Sequence, residues 1–212
     1  LKIGLDCANG AAAHIAPSLF SDLGADIVAI GVEPDGLNIN DNCGSTHLER
    51  LRQLVRREDC DLGIAFDGDA DRMLCIDEHG ELVDGDAILA IVALDMKKQG
   101  QLHDDTLVVT VMSNMGLDIM ARENGIKLVK TKVGDRYVLE EMLKSGYMIG
   151  GEQSGHIILL DHTTTGDGML SALRLLRAVI NDGQNLSDAR QIMKSLPQGL
   201  RSAHVPNEKK AR

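Results

Sequence analysis

Asp67, Asp69 and Asp71 alternate along the short segment Phe66-Asp67-Gly68-Asp69-Ala70-Asp71-Arg72. In an extended loop, side chains two apart project to one side, so three carboxylates would converge. Like charges so placed are costly unless a cation neutralises them. A donor set made only of oxygen favours a hard divalent ion, magnesium above calcium. Arg72 adds one positive group beside them. Its planar guanidinium suits two oxygens of a bound phosphate.

Other readings of the same residues compete. A solvated acidic turn is the plainest. Counted from Asp67, the first, third and fifth positions are Asp and the twelfth is Glu78, as in an EF-hand. That loop needs Gly at its sixth position, where Arg72 stands, and its flanks are helices, whereas these flanks read as strands. An Asp-x-Asp after an apolar strand also marks haloacid-dehalogenase-like phosphatases, with Asp67 then the nucleophile. Their fifth position is usually Thr or Val, and here it is Asp71.

A second polar loop follows in Gly150-Gly151-Glu152-Gln153-Ser154-Gly155-His156. Glycines on both sides let the backbone turn tightly, leaving Glu152 and Ser154 as paired hydrogen-bonding groups suited to sugar hydroxyls. An ordinary hairpin turn is the alternative. Lys132, Asp135 and Arg136 form a further polar group after an apolar run and are assigned to the cleft. The competing view is helix capping by Asp135 with an exposed Lys and Arg. His156 precedes an apolar strand and reads more readily as structural than as an acid or base. The histidines at 14, 47, 79, 103, 162 and 204 share no spacing.

Two matched sets of elements must carry these loops. Residues 2–6 are an apolar run, 11–23 a helical pattern and 26–30 a second apolar run. The same grammar returns at 107–112, a helix to 123, and 126–130. A helix at 46–57 then leads to strands 62–66 and 73–77 around the acidic loop, as a helix at 136–144 leads to strands 147–150 and 156–161 around the Gly-Glu loop. Each half closes with Gly-Asp before a long apolar-periodic helix, at Gly85-Asp86 and Gly166-Asp167. A self-similarity of this length is too long for a solenoid and implies duplication. The expected fold is α/β, two similar domains, each a mixed, mostly parallel sheet with flanking helices. An antiparallel pair is expected where 73–77 returns. The divisions are 1–99, 100–198 and a tail of 199–212 read as linker or disordered.

The 212 residues carry a formal charge of -10, which argues against nucleic acid and anionic membrane as partners. A phosphorylated substrate would need a local basic site. With two Phe, two Tyr and no Trp, the core must come from Leu, Ile, Val, Ala and Met. Cys7, Cys43, Cys60 and Cys75 show no CxxC pairing and read as free buried thiols. No run of roughly 18 apolar residues and no signal segment is seen, so the expectation is a cytoplasmic protein. The opening on Leu1 and directly on an apolar strand suggests a piece of a longer chain.

The residues 67–72 resemble the metal loop of the α-D-phosphohexomutases, and 151–156 their sugar-binding loop, in the same order and in successive domains. The resemblance runs from Leu1 to about Pro197 and implies the second and third of four domains. The first would carry a phosphoserine and the fourth a phosphate-binding loop. Four segments look most like the members acting on glucosamine phosphate: Asp6-Cys7-Ala8-Asn9-Gly10-Ala11, Ser113-Asn114-Met115-Gly116, Lys132 to Val138 and Thr163 to Gly168. Members acting on mannose or glucose phosphates are the alternatives. The implied activity is an intramolecular phosphotransfer between the 6- and 1-positions of glucosamine, through a bisphosphorylated sugar, supplying cell-wall precursor synthesis. Asp67, Asp69 and Asp71 would hold Mg2+, Arg72 would position phosphate, and Glu152, Ser154, Lys132, Asp135, Arg136 and His156 would meet the substrate. The implied partners are a phosphosugar and the chain's own first and fourth domains, and a homodimer is compatible. No serine here stands in the family's phosphoserine motif and no Ser-Gly-Thr phosphate loop is present, so these residues alone are expected to show no turnover.

Overall fold

The computed structural model describes residues 1–199. The expected linker or disordered tail from 199 onward therefore lies, apart from its first residue, outside the described residues.

The first sheet has the order β2-β1-β3-β4-β5, formed by β1 (Lys2–Asp6), β2 (Asp26–Ile30), β3 (Leu62–Phe66), β4 (Met73–Asp77) and β5 (Leu82–Val83). β1 pairs in parallel with β2 and β3, while β4 runs antiparallel to both β3 and β5. The second sheet has the order β7-β6-β8-β9, from β6 (Thr106–Thr110), β7 (Lys127–Thr131), β8 (Ile149–Gly151) and β9 (Ile157–Leu159). β6 is parallel to β7 and β8, and β9 returns antiparallel to β8. The duplication and the antiparallel return at β4 are as expected. The first sheet is evenly mixed, because β5 adds a second antiparallel pairing too short to show a period.

Alternation of side chains across each strand assigns the layers. Ile3, Leu5, Leu62, Ile64 and Phe66 face a central core, whereas Ala65 and Ile76 face Leu51, Leu54 and Val55 of α2 (Glu49–Arg57). In the second sheet Leu107, Val109, Ile149, Ile157 and Leu159 face the same central core. Val108 and Ile158 face Val138 and Met142 of α5 (Asp135–Ser145). Between the sheets lie α1 (Ala16–Asp22), α3 (Gly85–Lys98), α4 (Met115–Glu123) and α6 (Gly168–Asp182), followed by the short α7 (Leu186–Ala189). The order of layers is α2, first sheet, central helices, second sheet, α5.

The helix expected over 11–23 divides. Ala11–His14 form a 3-10 turn, and α1 begins with Pro17 in its first turn. Proline disfavours helical geometry in the residue before it and is best placed at a helix start, so a single uninterrupted helix is broken there. Residues Gly85 to Ala93 of α3 are all buried, as are Asp95 and Met96, which is the signature of a helix enclosed on every side. Its neighbours include β8, α4, α6 and the 3-10 turn Arg190–Ile192. Among the described residues no helix is long and apolar enough to cross a membrane.

Candidate metal centre and the loop that faces it

β3 and β4 deliver the acidic loop between them. One carboxylate oxygen from each of Asp67, Asp69 and Asp71 lies within 4.8 Å of the others. They do not meet by alternation along an extended strand. Ala70 has φ 62°, its N–H donates to the Asp67 carbonyl at 3.2 Å, and the loop closes as a turn that folds the three side chains together. Asp67 Oδ1 accepts the Arg72 N–H at 3.1 Å. Arg72 Nε stands 3.9 Å from Asp67 Oδ2 and 3.7 Å from Asp71 Oδ1. Burial, with the negative charges of Asp71 and Asp69 adding to it, pushes the Asp67 carboxyl up to about 6. One arginine against three carboxylates leaves this loop short of positive charge. The donor set, oxygen throughout and already converged, fits a hard divalent cation.

The second loop leaves β8 at Gly151. Glu152 N–H donates to the His156 carbonyl and Gly155 N–H to the Glu152 carbonyl, each at 3.0 Å, closing a tight hairpin turn. Gly155 has φ 93°, and a Cβ there would run into the Met73 carbonyl oxygen, so this position requires glycine. Glu152 Oε1 accepts the Gly134 N–H at 3.0 Å, which fixes the carboxylate. Gln153 is tied to Asp84, and Ser154 is exposed.

The two loops are joined to each other. Arg72 and His156 form an antiparallel backbone bridge, and Met73 N–H donates to the Gly155 carbonyl at 3.1 Å. Gly168 N–H donates to the Ala70 carbonyl at 2.9 Å. His156 is 2% exposed. Its Nε2 accepts the Gly166 N–H at 3.2 Å and lies 3.5 Å from Asp71 Oδ2. This histidine lies beneath the acidic loop.

Lys132 follows the end of β7, and Asp135 and Arg136 open α5. All three are exposed; Lys132 lies over the Tyr137 ring, and Arg136 pairs with Glu140 at 2.8 Å. The cap of α5 is Gly134 and not Asp135, which is the first helical residue. The segment reaches the Gly-Glu loop through the Gly134 backbone. Sequence reasoning missed Gly134, Gly166 and Gly168, because their contribution is a backbone N–H. It also missed Asp84, which links Gln153 to the cap of α3.

Comparison with known proteins agrees with this architecture. Residues 1–80 match the family model for phosphoglucomutase/phosphomannomutase alpha/beta/alpha domain II, and residues 84–196 match that for domain III. The chain belongs to the phosphoglucomutase/phosphomannomutase family and carries its second and third domains. Among relatives, it is 58% identical over 210 residues to the phosphoglucosamine mutase of Acetivibrio thermocellus, an alignment covering 99% of this chain and 47% of that protein. The chain thus spans about half the length of the curated relatives it matches. A putative phosphomannomutase from Thermus thermophilus superposes with TM-score 0.80 at 26% identity, over 89% of this chain and 44% of that one. The N-acetylphosphoglucosamine mutase of Aspergillus fumigatus, solved with GlcNAc-6P and magnesium, has the same fold with TM-score 0.70 at 20% identity, over 92% of this chain and 50% of that one.

Proposed function

We propose that this chain is the metal- and sugar-binding half of a phosphoglucosamine mutase, interconverting glucosamine 6-phosphate and glucosamine 1-phosphate for cell-wall precursor synthesis. The observation that carries the reading is the union of the acidic loop with the Gly-Glu loop through the Arg72–His156 bridge. That union sets a cation site beside groups suited to sugar hydroxyls. The identity to phosphoglucosamine mutases supports the choice of hexosamine.

In this reading Asp67, Asp69 and Asp71 hold Mg2+, which when bound offsets the charge of the phosphoryl group in transfer. Arg72 orients phosphate oxygens with its guanidinium. Glu152, fixed by Gly134, and the exposed Ser154 grip sugar hydroxyls in either orientation of a bisphosphorylated intermediate. Lys132, Asp135 and Arg136 line the approach, and His156, buried beneath the acidic loop, anchors the Gly166 backbone by accepting its N–H. The phosphorylated serine and a phosphate-binding loop come from the first and fourth domains. The boundary between the two domains described here falls at about residues 80–84, a placement supported by the packing of α3 on β8, α4 and α6 and by the family matches. The reaction is cytoplasmic, and four buried cysteines free of disulfides support a reducing compartment.

The test is turnover of the full-length protein with glucosamine, glucose and mannose phosphates, alongside Asp69→Ala. Preference for glucosamine phosphate, lost in the variant, is expected. Preference for glucose or mannose phosphate would reassign the substrate within the family, and phosphate release without isomerisation would overturn the mutase reading. The 212-residue chain alone is expected to show no turnover.

A further inference from the structure

The acidic loop rests on a part of the first sheet to which the proposed function gives no role. Asp6 ends β1 and is 0% exposed. Its Oδ1 accepts the Ala8 N–H at 3.0 Å and its Oδ2 the Gly44 N–H at 2.9 Å. Both carboxylate oxygens are therefore committed to backbone donors, and each donor leads to the acidic loop.

On one side, Ala8 at φ 55° and Asn9 at φ 47° are consecutive non-glycine residues in the left-handed region, which alanine rarely occupies. Their turn delivers Gly10 and Ala11 to the loop. Ala11 N–H donates to the Gly68 carbonyl at 2.8 Å, between Asp67 and Asp69. The approach is so close that a Cβ on Gly10 would strike the same carbonyl. On the other side, Ser45, next to Gly44, donates its N–H at 2.9 Å to the Phe66 carbonyl, immediately before Asp67. Asn40 N–H closes the assembly onto the Ala8 carbonyl at 2.9 Å.

We propose that Asp6 is a positioning residue for the metal ligands, setting the Ala8–Ala11 turn and the Gly44–Ser45 segment that hold the carbonyls on either side of Asp67. The proposal rests on the assignment of Asp67, Asp69 and Asp71 to a divalent cation. It predicts a cation affinity that depends on a carboxylate remote from the ion.

The experiment measures Mn2+ affinity of the intact protein from the electron-spin-resonance signal of the free ion, with thermal midpoints recorded in parallel. Asp6→Asn should weaken binding by about tenfold or more, the range for groups that orient metal ligands from behind. Adding Ala8→Gly should restore most of the loss, because glycine takes a positive φ without support. Ala11→Pro gives a second route that leaves Asp6 intact. It replaces the N–H given to Gly68 with a ring carbon directed at the same carbonyl, and so parts the turn from the loop, behind a Gly10 already extended at φ -117° and ψ -155°. It too should weaken binding, and wild-type affinity there shows that the turn set by Asp6 does not hold the loop, whether or not Asp6→Asn folds. Wild-type affinity in Asp6→Asn or in Ala11→Pro overturns the proposal, as does a loss in Asp6→Asn that Ala8→Gly leaves unrestored. Absence of binding by the wild type, or undiminished binding by Asp69→Ala, overturns the metal assignment itself.

Discussion

At the scale of single residues the acidic loop is a site defined by excess charge. Asp67 is pushed up to about 6 because it is partly buried beside two other carboxylates, with only Arg72 opposing them. A cation that removes this excess binds the folded chain and not the unfolded one, so it must stabilise the fold. At a concentration a hundredfold above its dissociation constant, Mg2+ should add about 2.7 kcal/mol. Thermal melts at neutral pH with and without Mg2+ check this, and Asp69→Ala should abolish the increment. An unchanged midpoint in the wild type would remove the metal assignment. The three aspartates were legible in the sequence because their chemistry lies in side-chain type and spacing. The turn at Ala70 that gathers them was not, since a positive φ at alanine follows from surroundings supplied by distant segments. The same holds for the Gly134 N–H on Glu152, a contact between loops 18 residues apart that carries no side-chain signature.

At the scale of elements, the two long helices are started by equivalent aspartates. Asp84 accepts from the Ala87 N–H and Asp167 from the Leu170 N–H, both at 3.0 Å. The sequence match paired Gly85-Asp86 with Gly166-Asp167, whereas the caps pair Asp84-Gly85 with Asp167-Gly168. The two registers differ by two positions because VDGD offers two aspartates, two residues apart, and only geometry tells which one caps. The spare one, Asp86, is 0% exposed, accepts the Asn114 N–H at 2.7 Å, and is pushed up to about 6 by burial. A carboxyl raised above its unfolded value favours the folded chain when protonated. That contribution is full below about pH 4 and is lost as pH rises through about 6. Asp86→Asn keeps an acceptor for Asn114 and cannot ionise. It should remove up to about 3 kcal/mol of the wild-type decline across that window, as seen in urea melts at successive pH values. Parallel pH profiles for the two proteins would show that Asp86 does not titrate in this range. Glycine at 155 makes a sharper demand. Gly155→Ala would set a Cβ against Met73 at a positive φ, and should cost at least about 2 kcal/mol while weakening the joint between the two loops.

At the scale of the whole chain, the duplication invites the expectation of two independent domains, and the packing contradicts independence. One apolar core runs from Ile3 and Phe66 of the first sheet through α3 and α6 to Val109 and Leu159 of the second. α6 touches both β4 and β9, so it is a shared layer. Polar ties reinforce it. Arg190 Nε lies 2.7 Å from Asp77 Oδ2, which belongs to a carboxylate with 0% side-chain exposure at the end of β4, and the Ser187 hydroxyl bonds the adjacent Glu78. The periodicity of the sequence could show that Asp77 ends a strand, but not that its partner waits more than a hundred residues later. Because the core is shared, opening either sheet exposes the face of the other, and unfolding should occur in one transition. Amides of β1 and β6 should then exchange with the same free energy in native-state hydrogen exchange. Arg190→Ala would leave Asp77 buried without its cation, costing about 3 kcal/mol, and should lower protection in both sheets equally. A variant in which β1 loses protection while β6 keeps it would show that the sheets unfold separately, and that the α6 layer does not couple the acidic loop to the Gly-Glu loop.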